Sequence, residues 1–367
     1  MIYNKDGKIE EYVEYLLKSL KDFLSYLIVV VNGYLRDEEL GKLQLSSDEI
    51  YIRENVGYDG GAYKEVLLKL FSTGGLTGFD ELVLCNDSFY GPVVPWEFIF
   101  DKMEQERVSF WGLSKWLEGA SCMPGYPYLP EHVQAYFLVI KSHMFQSQYF
   151  IQFWMEMEMP CSYDEAIRNF EIAFTTYFRS CGFQYKTWLD ISEGNHYLER
   201  GQVVYCSHMA DLIENCHFPV IKKKAITFLA FEQYFRVLQY IRAQGIYKSE
   251  FLEKGWKQYE KNGFPYDNIE EFYNQHERIY VFGYGNWGKV LECYFRYKGW
   301  KAEGFVVSEK NKADGSLLCL RDLDLDDKTG VIVALGEQNG KEVLPTLSEK
   351  VKKRHLLIPT SLSAFYK

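Results

Sequence analysis

The sequence lacks the features that announce several specialised classes. Its eight cysteines form no CxxC pair and no Cys/His spacing of the zinc type, which excludes the common zinc modules. Thiols scattered over 367 residues are expected of a reducing compartment, here the cytoplasm. An excess of positive charge is also missing. The 41 Lys and Arg against 51 Asp and Glu give a formal net charge of −10, so no nucleic-acid partner is expected. Long apolar runs are absent: the longest early one, Leu27 to Val31, falls far short of the roughly 20 residues that span a bilayer. The opening "MIYNKDGKIEEYVEYLL" is charged from its start, unlike a secretory leader. No internal repeat or low-complexity stretch is visible.

What is present reads as a globular chain. Hydrophobic residues make up 47% and charged residues 25%, enough to build a core, and the length exceeds the usual single domain, so two are expected. Aromatics reach 17%, with 29 Tyr and 26 Phe. Alone they select no function, since cores, sugar clefts and membrane-facing surfaces all use them.

The first part alternates between helix and strand. Apolar residues at helical spacing run through 8–24, and "YLIVVVNG" reads as a buried strand. A short helix over 37–45, the strand "EIYIREN" and a glycine-rich turn opening the helix of "NVGYDGGAYKEVLLKLF" follow. Another strand then ends at Asp87. Such alternation predicts an α/β fold with a mainly parallel sheet, whose ligands sit at the carboxyl ends of the strands. Beyond residue 97 the pattern is mixed. "SFWGLSKW" and "AYFLVIK" read as strands, and 142–157 and 163–180 as helices. "SHMFQSQYFIQFWMEM" reads as a core helix in preference to a membrane or acceptor surface. The expected layout is a first domain over 1–220, a helical connector over 221–275 and a small α/β unit over 276–367.

Several residues carry chemistry. In "LVLCNDSFYGP" the strand stops at Asn86, Asp87 and Ser88, which serve either as cheap turn chemistry or as oxygen ligands for a metal or donor. Asn55, Gly57 and Asp59 precede a helix whose first N–H groups favour an anion, although glycines there also simply connect strand to helix. Asp164, Glu165 and Glu171 read first as ordinary exposed helix charges, yet Glu171 lies between Phe170 and Ile172, where a raised pKa would suit a general base. His132 opens a strand as a ligand or a turn residue. Lys222, Lys223 and Lys224 form either a solvated face or a phosphate contact. Gly283, Gly285 and Gly288 make a GxGxxG between strand and helix, with Ser308 and Glu309 about twenty residues on, where a ribose-binding acid belongs; the glycines serve either a nucleotide or merely close strand–helix packing.

Seven stretches in order over residues 3–185 resemble the rhamnan synthesis protein F family. They are "YNKDGKIEEYVEYLL", "VVVNG", "IRENVGYDGGAYKEVL", "FDELVLCNDSFYGPV", "FWGLSKW", "YLPEHVQAYFLVI" and "YDEAIRNFEIAFT". "HFPVIKKK" also resembles an "FPFLK" element of related polysaccharide glycosyltransferases. The resemblance implies a GT-A-like, Rossmann-like sheet domain and transfer of a sugar, commonly rhamnose from dTDP-rhamnose, to a glycan or lipid-linked acceptor. It implies that "NDS" stands at the place of a DxD motif, with Asp87 on Mg²⁺ or Mn²⁺, although "NDS" keeps a single Asp. Asn55, Gly57, Asp59, Asn86 and Ser88 would line the donor, with His132 close by and Lys222 near a phosphate. Glu171 would take the acceptor proton. A lipid-carried acceptor would bring the chain to the inner face of a membrane as a peripheral protein. The C-terminal unit resembles the small Rossmann-like domains of glycan-assembly proteins. Two alternatives stand beside this reading: an NAD(P)-dependent sugar-modifying enzyme built on Gly283–Gly288, weakened by the lack of a hydride-transfer set, and a non-catalytic nucleotide-binding scaffold. No oligomeric state can be read.

Overall fold

The computed structural model describes residues 1–3, 5–123, 126–190, 207–308, 317–323 and 325–365. The chain divides into two compact units, Met1–Lys223 with Ile241–Phe251, and Lys224–Tyr240 with Leu252–Lys367. Among the described residues no helix is long and apolar enough to cross a membrane.

The first unit begins with the expected alternation: β1 (Ile2–Tyr3), α1 (Glu11–Phe23), β2 (Ile28–Asn32), α2 (Asp37–Ser46), β3 (Glu49–Arg53), α3 (Tyr58–Thr73) and β4 (Glu81–Cys85). Helix α1 forms because Tyr12, Val13, Leu16, Leu17 and Leu20 share one buried face. Glu11 and Glu14 at its start and Lys21 at its end suit the helix dipole. Val29, Val30 and Val31 of β2 are all buried, as a parallel strand covered on both faces requires. Strands β1, β2 and β3 pair in parallel. At the β1 edge the Met1 amine donates to the Cys85 carbonyl at 2.6 Å, which ties the end of β4 to the start of β1, while β4 itself belongs to a second sheet.

After β5 (Phe89–Tyr90) and α4 (Trp96–Glu104) come β6 (Phe110–Trp116), the ribbon of β7 (Gly119–Met123) and β8 (Tyr126–Leu129), β9 (His132–Val133) and β10 (Phe137–Lys141). Strand β10 runs antiparallel to both β4 and β6, while β11 (Tyr185–Leu189) is parallel to β6. This second sheet, in the order β11-β6-β10-β4, is therefore mixed. Reversal of β10 has a positional effect: Phe137, at its start, pairs with Cys85, at the end of β4. The segment leading into β10 thus reaches the same sheet edge as the Asn86–Ser88 turn.

The two helices expected over 142–180 are each interrupted. Ser147 caps a new start between α5 (Ser142–Phe145) and α6 (Gln148–Glu156), its side chain accepting from the Phe150 N–H. Residues Ile167–Ile172 form a π-helical turn between α7 (Tyr163–Ala166) and α8 (Ala173–Ser180). Phe110, Phe145, Phe150, Phe153, Trp154, Phe170, Phe174 and Phe178 cluster here. Much of the aromatic abundance is therefore core packing, as read for residues 142–157.

Strand β12 (Ile221–Lys222) pairs antiparallel with β5. Within 221–275 the chain is otherwise largely helical, over Phe231–Gln244, Ser249–Asn262 and Ile269–Asn274. The second unit holds a wholly parallel sheet in the order β15 (Leu318–Cys319), β14 (Gly304–Val307), β13 (Arg278–Phe282), β16 (Thr329–Val333), β17 (Leu356–Leu357). Its core gathers Phe282, Val306, Val331, Val333, Leu344 and Leu347.

Candidate functional site

The glycine-rich loop after β3 is fixed by buried polar groups at the strand ends. Asn32 is fully buried. Its side-chain amide donates to the Tyr58 carbonyl at 2.8 Å and its Oδ1 accepts from Arg53 at 2.6 Å. Arg53 also donates to the Val56 carbonyl and to Glu65. Gly57 takes φ +77, and a side chain there would meet the Met159 methyl 2.5 Å away. A β-carbon on Gly61 would lie 2.6 Å from the Val56 carbonyl oxygen, and one on Gly60 would press on Phe170 at 3.0 Å. These glycines let the loop close tightly over the π-helical turn.

Asp59 leaves this loop toward the end of β4. Its Oδ1 accepts from the Gly60 N–H and its Oδ2 from the Asn86 amide, both at 3.0 Å. Burial pushes its carboxyl above the usual range; the Asn86 bond works against that and the charge of Glu171 adds to it. Asn86 in turn accepts the Ser88 N–H at 3.1 Å, the local side-chain bond of an Asx turn. The turn reading and the ligand reading of "NDS" are therefore not exclusive. Burial raises Asp87 as well, opposed chiefly by the Lys223 ammonium.

Two lysines arrive from far along the chain on the β5–β12 ribbon. Lys222 is buried, and its Nζ donates to Ser88 Oγ at 3.0 Å, across 134 positions of sequence. The same ammonium lies 3.5 Å above the centre of the Tyr136 ring. The Tyr136 hydroxyl bonds Ser114 Oγ at 2.7 Å, and Ser114 bonds Gln134. Lys223 Nζ donates to the Tyr12 hydroxyl at 2.6 Å and reaches the Asp87 carbonyl at 3.4 Å.

Glu171 occupies the π-helical turn, whose extra residue per turn re-aims a side chain. Its Oε2 accepts the Ala135 N–H at 2.8 Å and its Oε1 lies 3.5 Å from His132 Nε2. His132 Nδ1 is 2.7 Å from the Pro130 carbonyl, which only accepts, so Nδ1 carries a proton. A bond between Nε2 and Glu171 then needs one more proton, on either partner. The raised pKa expected of Glu171 is not found. Burial would raise it, but the His132 contact, the Ala135 N–H and the Lys222 charge together hold it below the ordinary range. The carboxyls that burial lifts in this pocket are Asp59 and Asp87.

Hydrogen bonds and mutual electrostatic effects thus connect Asp59, Asn86, Asp87, Ser88, His132, Glu171 and Lys222. Asn55 stands apart at the exposed rim of the loop. Tyr12, Tyr136, Ser114 and Gln134 escaped sequence reasoning because each looks like ordinary core or strand polarity. Among the described residues no group of three His, Cys, Asp or Glu side chains is arranged to hold a metal ion.

In the second unit Gly283, Gly285 and Gly288 have three different surroundings. Gly283 takes φ +106, and a β-carbon on it would lie 2.6 Å from the Ala334 carbonyl oxygen. One on Gly288 would lie 2.2 Å from the Gly283 carbonyl oxygen, whereas one on Gly285 would meet nothing within 4 Å. Two of the three are thus required by packing, and Gly285, just before the helix Asn286–Lys298, faces open space. Glu309 lies outside the described residues.

A model of the rhamnan synthesis protein F family matches residues 27–279. The chain belongs to the rhamnan synthesis protein F family. That match runs from β2 into the first residues of β13 and includes the glycine loop, the Asn86–Ser88 turn, the His132–Glu171 pair and both lysines. The chain is also 25% identical over 186 residues to the uncharacterised protein y4gN of Sinorhizobium fredii (strain NBRC 101917 / NGR234). That alignment takes in 50% of this chain and 45% of the relative, so the chain spans about half of the relative's length.

Proposed function

We propose that the chain is a glycosyltransferase of rhamnan-type polysaccharide synthesis, with a GT-A-like first unit. It would move a sugar, rhamnose or another deoxyhexose, from a nucleotide diphosphate sugar to a glycan or lipid-linked acceptor. The observation that carries this reading is one pocket at a sheet edge that gathers an anion-favouring glycine loop, a cationic pair and an ionised carboxylate. Family membership supports it independently.

In this reading the glycine loop and Asp59 line the nucleotide, while Lys222 and Lys223 face the diphosphate. An acceptor oxygen forms a bond to the anomeric carbon as the bond from that carbon to the diphosphate oxygen breaks. The electron pair of the broken bond leaves with the nucleoside diphosphate, and the acceptor proton passes to Glu171. A lowered pKa makes Glu171 a weaker base but keeps it ionised and ready at neutral pH. His132 orients it and shares a proton with it.

The test is a transfer assay with dTDP-rhamnose and a panel of other nucleotide sugars. Glu171→Gln should lower kcat by about 10²–10⁴ while leaving donor affinity close to that of the parent chain. Unchanged kcat would remove Glu171 from the reaction. A parallel thermal-shift panel with NAD(H) and NADP(H) addresses the nicotinamide alternative: a shift with those cofactors alone, lost in Gly285→Val, would favour it.

A further inference from the structure

The turn that stands where a metal motif is expected is built around ammonium groups instead. We infer that Lys222 and Lys223, seated on Tyr136 and Tyr12, receive the donor diphosphate and stabilise its departure, so that this pocket works without a resident divalent ion. The inference rests on the nucleotide-sugar reading above.

The donor set is the first ground. A divalent ion of the Mg²⁺ type takes one or two carboxylates together with substrate phosphates. Here both oxygens of Asp59 already accept protein hydrogen bonds, from Gly60 and Asn86. The Asn86 carbonyl oxygen is engaged by the Ser88 N–H, and Ser88 Oγ accepts from Lys222. Asp87 remains, and its carboxyl feels the Lys223 ammonium as its chief favourable charge. A metal ion bound there would face that ammonium, and like charges a few ångströms apart repel, more strongly in a pocket than in open water.

The second ground is how the lysines are held. Lys223 is exposed, and its hydrogen bonds go to the Tyr12 hydroxyl and the Asp87 main-chain carbonyl; both are uncharged oxygens, so the ammonium is held in place without a direct ion pair to a carboxylate, although the Asp87 carboxyl lies within its field. Lys222 is buried against the face of Tyr136 with Ser88 at its tip. The β5–β12 ribbon fixes both, since the Lys223 N–H bonds the Ser88 carbonyl at 3.1 Å. Preorganised positive charge of this kind meets the negative charge that grows on the leaving diphosphate oxygens and needs no proton transfer to them.

Calorimetric titration of the full chain with dTDP, and with UDP and GDP alongside, in EDTA and then in excess Mg²⁺, tests this. Binding in EDTA should be within about threefold of binding in Mg²⁺. Lys223→Gln should weaken it roughly ten- to hundredfold, the range of a lost charge-assisted hydrogen bond, and Lys223→Arg should restore most of it. Lys223 is exposed, so its variants should fold; Lys222→Arg is the milder partner variant at the buried position. Binding that appears only with Mg²⁺, is lost in Asp87→Asn and is untouched by Lys223→Gln would overturn the inference and leave the nucleotide-sugar reading standing. No binding of any of the three diphosphates in either buffer would overturn both.

Discussion

Glu171 is a carboxylate pulled two ways. Burial favours its neutral form, while His132, the Ala135 N–H and Lys222 favour the charged one, and the charged form prevails. A folded-state pKa below the ordinary value of 4.5 makes ionisation stabilising. That contribution is present above the unfolded-state value and disappears as pH falls through the folded one. Glu171→Gln should therefore cost about 1–3 kcal/mol at neutral pH, measured by urea unfolding, and the gap to the parent chain should close in acid below the ordinary carboxylate range. A gap that does not change with pH would mean that the lost packing, not the lost charge, sets the cost. Between Phe170 and Ile172 the sequence marked Glu171 as unusual, but it could not reveal the sign of the shift. That sign depends on a histidine 39 positions earlier (171 − 132), on another element.

At the scale of elements, the glycine loop and the π-helical turn are locked together through Met159 and Phe170. Gly57→Ala adds two faults, a left-handed φ for a residue with a side chain and a clash with the Met159 methyl. It should cost about 1–3 kcal/mol. Met159→Ala in the same chain should relieve the clash and not the backbone strain, so a double-mutant cycle should return a coupling of the opposite sign to the single cost. Strict additivity would mean that Met159 does not bear on Gly57. Alternation of strand and helix up to β4 was legible because apolar period and turn residues agree there. The reversed β10 was not, because a five-residue apolar strand carries no mark of its direction. The break of 163–180 by a π-helical turn was equally hidden, since the apolar spacing passes through it unaltered. The ribbon that brings Lys222 to Ser88 depends on a pairing across 134 positions that local pattern cannot encode.

At the scale of the whole molecule, the second unit holds a chain of rings with a definite proton order. His276 Nδ1 donates to the Phe272 carbonyl at 2.8 Å, so its Nε2 is left to accept from His355 Nδ1 at 3.0 Å. His355 Nε2 accepts from Arg354 at 2.9 Å. A proton added at His355 Nε2 would face the Arg354 guanidinium as donor against donor, with the Asp327 carboxylate 3.5 Å away as a favourable neighbour. Burial lowers the His355 pKa from 6.5, helped by Arg354 and His276 and opposed by Asp327. Stability from this relay is whole above that ordinary value and is lost as pH falls toward the lowered one. Calorimetry from about pH 8 to about pH 5.5 should move the second unit's transition to lower temperature as the pH falls. His355→Gln should flatten that dependence, and an equal slope in the variant would exclude the relay. The division of the chain has a genetic consequence. Ile241–Phe251 belongs to the first unit, where Tyr247 meets Tyr15 edge to face at 5.0 Å, yet it is encoded after the second unit has begun. A stop codon after Lys223 would delete part of the first unit's own fold, and recombination that exchanges second units has to carry this eleven-residue island (251 − 240) across unchanged.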